Sequence, residues 1–278
     1  MAASDTVEPP RPPIIADVGC GRVAAGFGDG KLNVWDVMSG VLLFDGNTGH
    51  GRITGMACID GMLAMACDES VSFRAMHGRW EPVHVTHAPS THLTFAVVNI
   101  CGRAALVSGG NGHLAEWTDY SALHTWNFPV EHEGRCITAL ADLGEGRLLV
   151  ARFGYMDVWM FTYRPTGWVC LQSIQNEVGF HSSKVVGASA IPNGAATVCS
   201  HGRVTFWTWV ESSTLVFSHH KITCGISLAL SSDPALLLFS GGNAIIRAVA
   251  TDRWEEKYRL VAHGGHDGAV YALVVMDM

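Results

Sequence analysis

Histidine and cysteine are the residues of this chain best able to do chemistry. There are fourteen His and eight Cys in 278 residues. A His can act as general base or metal ligand, and a Cys thiolate as nucleophile or soft ligand. Their spacing points elsewhere. Cys20, Cys58, Cys67, Cys101, Cys136, Cys170, Cys199 and Cys224 contain no CxxC pair, and most lie inside apolar, strand-like runs. Zinc requires clustered ligands, so these thiols read as small buried hydrophobes of a reducing compartment. Glu131-His132-Glu133 has the residue types of acid–base catalysis, yet it falls in a loop of a kind that recurs along the chain, as does His219-His220. There is no GxSxG, P-loop or HExxH pattern. Gly26-Phe27-Gly28-Asp29-Gly30 has the composition of a phosphate-cradling loop. It lies between two strand-like runs, with no helix N-terminus to supply a dipole, and so reads as a turn. The expectation is a chain with no catalytic, cofactor-binding or metal-binding residues.

The elements that would carry these residues repeat. Ile53-Thr54-Gly55-Met56-Ala57, the turn Asp60-Gly61 and Met62-Leu63-Ala64-Met65-Ala66 match Ile137-Thr138-Ala139-Leu140-Ala141, Gly144-Glu145-Gly146 and Arg147-Leu148-Leu149-Val150-Ala151. Both read as strand, tight turn, strand. Similar first strands begin near Ile14, Leu93, Val185, Ile226 and Val270, so the starts are 39 to 48 residues apart. That period accommodates four short strands. Helical repeats of like period need long helical runs. The longest stretch free of Gly and Pro, Arg203 to Cys224, instead carries Val204-Thr205-Phe206-Trp207-Thr208-Trp209-Val210, the β-branched and aromatic residues of strands. Only Asp252 to Leu260 would tolerate a helical turn.

A second marker falls on the third strand of each unit. Trp35, Trp117, Trp159 and Trp207 recur there, with Arg74 in that place in unit two and a position near Ala248 in unit six. His50, His92, His132, His181, His220 and His266 precede first strands. The offset is 25 residues from His92 to Trp117, 27 from His132 to Trp159 and 26 from His181 to Trp207. Val34-Trp35-Asp36 preceded by Phe27-Gly28-Asp29-Gly30, together with Gly49-His50 and Gly265-His266, resembles the WD-repeat family. The resemblance covers nearly everything from residue 14 onward, although only unit one has the full Trp-Asp dipeptide.

The resemblance implies an all-β β-propeller of four-stranded blades, over residues 14–278 as one domain. It has six recognisable repeats plus a C-terminal strand, Ala269 to Val275, that either closes the ring or begins a seventh blade. A closed or nearly closed ring of six full blades is the favoured form. It also implies structural hydrogen-bonded sets joining strands within a blade. These are His266, Asp29 and Trp35; His92, Ser108 and Trp117; His132 and Trp159; and His181 and Trp207. Trp80, Trp126, Trp168 and Trp254 lie outside that register. They serve either packing between blades or an exposed partner surface. The first strands are apolar and small, as in Gly187-Ala188-Ser189-Ala190, which predicts a plain packed core about the axis.

Composition agrees with stacked sheets. Hydrophobic residues make up 48% and charged residues 15%, against a usual charged share of about 25%. The net charge of −7 disfavours nucleic acid, whose phosphates need clustered Lys and Arg. Residues 1–13 read as a disordered Pro-rich tail rather than a signal peptide. No apolar run reaches the roughly 18 residues of a membrane span. The expected function is a non-enzymatic scaffold or adaptor that holds other proteins in a complex, in the cytoplasm or nucleus and not secreted. The alternative is an enzyme or small-ligand binder using the central channel.

Overall fold

The computed structural model describes residues 13–261, apart from residue 69 and the segments 77–79, 88–92, 101–102, 119–120, 128–135, 153–154, 163–166, 176–183, 212–213, 223–224, 232–235, 242–244 and 251–255, and residue 112. Side chains are described as far as residue 216, those of 99–100, 118, 121–127, 161–162 and 175 excepted. The described residues form strands and turns, with no helix. The predicted disordered tail, the C-terminal strand Ala269 to Val275 and Trp254 lie outside the described residues.

Among the described residues, twenty-four strands form six four-stranded antiparallel sheets, each made from consecutive strands. Sheet one comprises β1 (Ile14–Gly19), β2 (Arg22–Gly26), β3 (Lys31–Asp36) and β4 (Leu42–Asn47). Sheet two comprises β5 (Ile53–Ile59), β6 (Met62–Cys67), β7 (Ser70–Ala75) and β8 (Pro82–His87). Sheet three is β9 (Thr94–Ile100), β10 (Arg103–Gly109), β11 (His113–Thr118) and β12 (Ser121–Asn127). Sheet four is β13 (Ile137–Gly144), β14 (Arg147–Arg152), β15 (Tyr155–Thr162) and β16 (Gly167–Gln175). Sheet five is β17 (Val185–Ile191), β18 (Gly194–Cys199), β19 (Arg203–Glu211) and β20 (Thr214–Ile222). Sheet six is β21 (Gly225–Ser231), β22 (Leu236–Gly241), β23 (Ile245–Ala250) and β24 (Glu256–Val261). The helical turn allowed over 252–260 is strand from Glu256 onward. The alternating Tyr258 and Leu260 suit a pleat.

Second strands are buried on both faces: every described residue of Gly194–Cys199 is buried, as are Leu148 through Arg152. They therefore read as continuous apolar runs rather than alternating ones. The fourth strands β4 and β8 are mostly exposed. First strands of successive sheets pack side by side in chain order, from β1 through β5, β9, β13 and β17 to β21. The core consists of layers between neighbouring sheets. Leu32 and Val34 of sheet one meet Ile53, Leu63 and Met65 of sheet two. Ala66, Val71 and Phe73 meet Leu93, Leu106 and Trp117. Val107 and Leu114 meet Ile137, Leu148 and Trp159. Each buried Leu- or Ile-sized side chain contributes roughly 1.5–3 kcal/mol, and each needs the next sheet to cover it.

One size rule governs these layers. The residue three places beyond the second-strand partner of the Trp position is Gly26, Ala66, Gly109 and Ala151 in sheets one to four. A Cβ at Gly26 would lie 2.6 Å from Ile53 Cγ2, and one at Gly109 would lie 2.7 Å from Ile137. Glycine thus faces isoleucine, while Ala66 packs in one cluster with Leu93 and Ala151 with Val185. The same junctions carry hydrogen bonds. Ile53 N donates to Phe27 O, and Ile137 N to Gly110 O, each at 3.2 Å.

Candidate functional site

The third-strand tryptophans sit at one register position, where a bulge separates the third and fourth strands. The register shifts at Trp35, Arg74, Trp117, Trp159 and Trp207, and at Ala248/Val249 in sheet six. Two residues along the paired second strand lie Ser108 in sheet three and Thr197 in sheet five. The Trp117 indole N–H donates to Ser108 Oγ at 2.8 Å, and that of Trp207 to Thr197 Oγ1 at 2.9 Å, all buried. In sheets one and four the matching residues are Ala25 and Val150, which carry no acceptor. Sheet four holds another buried polar set instead: Arg152 pairs with Asp157, which also accepts a 2.6 Å bond from Ser173 Oγ.

His92, His132, His181 and His266 lie outside the described residues. His220 belongs to the fourth strand β20, opposite Thr205, and precedes the first strand β21 from within that strand. His50 is half-buried in the turn before β5. Asp29 is exposed, and its carboxylate accepts a 3.0 Å bond from Lys31 N, an ordinary turn function. Trp35 is only half-buried, whereas Trp117, Trp159 and Trp207 are buried.

For two of the four tryptophans that serve either packing or a partner, burial favours packing: Trp80 and Trp168 are 4% and 3% exposed. Trp80 precedes β8 rather than lying in it, and packs on Phe44 of sheet one at 6.4 Å between ring centroids. Trp168 joins the layer between sheets three and four. Trp126 lies in β12; its side chain and Trp254 lie outside the description. Arg74, in the Trp place of sheet two, is buried and donates to Trp80 O at 2.7 Å and Thr48 O at 3.3 Å, tying sheet two to sheet one. Burial lowers its pKa.

Two features remain that could serve a ligand. The first is a cavity of about 440 Å³ where the starts of five first strands converge. Ile14, Ile53, Leu93, Ile137 and Val186 supply apolar lining, Thr54, Thr94 and Thr138 supply hydroxyls, and Arg52 and Lys184 supply charge. Backbone irregularity builds it. Thr54, Thr138 and Val186 are each the extra residue of a bulge, between Ile53/Gly55, Ile137/Ala139 and Val185/Gly187. A bulge re-aims the side chain it adds. The starts of these first strands thus enclose a cavity, where the small first-strand residues suggest a plain packed core. The second feature is a set of exposed apolar side chains, the apolar ridge, in the β3–β4 turn and on the outer strands β4 and β8. Met38 is 77% exposed and Val83 56%. Val37, Val41, Leu42 and Leu43 accompany Met38, and Val85 accompanies Val83. Phe44 of β4 packs on Trp80, just before β8, where the two sheets meet.

Among the described residues no group of three or more His, Cys, Asp and Glu is placed to hold a metal. No described helix is long and apolar enough to cross a membrane. No protein-family model matches the chain, and no curated protein sequence matches it.

Proposed function

We propose that this chain is a β-propeller of the WD-repeat type that works as a non-enzymatic platform for other proteins. Supporting the architecture are six alike sheets, first strands packed in chain order and five strand starts around one cavity. The Trp117–Ser108 and Trp207–Thr197 bonds are those the family likeness implies within a blade. The observation that carries the platform function is the apolar ridge on sheets one and two. Exposed apolar side chains grouped in this way mark partner surfaces, and a rigid all-sheet body keeps their spacing fixed. The partner is a protein with a complementary apolar contact, and the place of work is the cytoplasm or nucleus.

The test is crosslinking of the intact chain in native lysate, followed by mapping of crosslinked peptides, for wild type and the Met38→Asp/Val41→Asp variant. A stoichiometric partner crosslinked to the β3–β4 and β8 region, lost in the variant without a change in Tm, supports the platform. Equal capture by both proteins overturns it. The cavity favours a second use of the same body, as a small-ligand binder.

A further inference from the structure

We propose that the cavity takes a small organic dianion, with its two anionic ends at Arg52 and Lys184 and an aliphatic middle over Ile53, Leu93 and Ile137. This inference rests on the small-ligand use and is independent of the apolar ridge. Arg52 enters sheet two and Lys184 enters sheet five, with sheets three and four between them. Both line the same cavity from different sheets, so a ligand with an anionic group at each end can meet both. The lining contains no Asp or Glu, in a protein whose net charge is −7.

Both cations are held at their stems. Asp68 accepts a 2.9 Å bond from Arg52 N and lies 3.6 Å from its Nε, while Asp68 N donates to Arg52 O at 3.1 Å. The carboxylate orients Arg52 and offsets part of its charge, so the surplus comes from Lys184. Lys184 accepts from Ser200 N at 2.8 Å through its carbonyl, and its side chain is exposed. Two of the three threonines do not compete for the anion. Thr54 Oγ1 donates to Leu93 O at 3.4 Å and Thr138 Oγ1 to Ala151 O at 3.3 Å. With their protons committed, these hydroxyls offer lone pairs, which repel carboxylates and leave the charged ends to Arg52 and Lys184. The volume lies within the roughly 300–1,000 Å³ range of small-molecule sites.

Isothermal titration of the intact chain with adipate, inorganic phosphate and putrescine tests this. Expected are saturable adipate binding that weakens with salt, no putrescine binding, and at least a tenfold loss in Lys184→Gln. Lys184→Arg retains binding. Absence of saturable adipate binding overturns the proposal, as does adipate binding unchanged in Lys184→Gln. Tighter binding of phosphate than of adipate also overturns it, assigning a compact anion. Lys184→Gln leaves capture at the β3–β4 ridge unchanged, so failure here and failure of the platform are told apart.

Discussion

The indole bonds of Trp117 and Trp207 set what one residue can do for a sheet. Each joins the second and third strands from inside, where water cannot replace the lost partner. Ser108→Ala is expected to cost about 1–3 kcal/mol, the range for stranding a buried donor. Thr197→Ser, which keeps the oxygen, is expected to cost less than Thr197→Val; urea unfolding of the three variants measures the difference. The thiols give a second residue-scale expectation. Burial pushes both Cys67 and Cys170 up to about 11. A thiol raised in the folded state keeps its proton where the unfolded chain begins to lose it. Its contribution to stability is complete below the ordinary value of 9.0 and is lost as pH rises to about 11. At pH 8.5, iodoacetamide should alkylate exposed Cys20 and Cys136 first, with Cys67 and Cys170 lagging; mass spectrometry of a time course reads the order.

Among the elements, what binds one sheet to the next is a match of sizes. Gly26 admits Ile53, and Ala151 is clustered with Val185. Gly26→Ala should therefore destabilise by about 1–3 kcal/mol through overpacking. Adding Ile53→Val recreates the Ala–Val pairing of sheets four and five and should recover part of that loss, a coupling that a double-mutant cycle measures. Much of this level was legible in the sequence. First strands expected at 14, 53, 137 and 185 begin there, and those expected at 93 and 226 begin one residue away, at Thr94 and Gly225. Period and turn chemistry are local properties of the chain. The cavity was not legible, because Thr54 and Thr138 look like any strand residue. Only the ladder register shows that each is a bulge. The choice between packing and exposure for Trp80 was not legible either, because it depends on Phe44 from another sheet, which no local pattern encodes. The Gly–Ile and Ala–Val alternation at sheet junctions was a usable signal that spacing of His and Trp overshadowed.

For the whole molecule, a sheet apolar on both faces must be flanked on both sides, and in the proposed ring the six sheets in chain order would satisfy this by turning about an axis. The proposed ring makes the first and fifth sheets near neighbours and sets the second and fifth opposite one another. A linear stack does the reverse. Pulsed electron–electron resonance on paired spin labels at exposed outer-strand sites decides between them, with Cys20 and Cys136 replaced by Ser. Leu43, Val83 and Val216 mark sheets one, two and five. The ring predicts a shorter distance for the 43–216 pair than for the 83–216 pair. A 43–216 distance longer than 83–216 would contradict it.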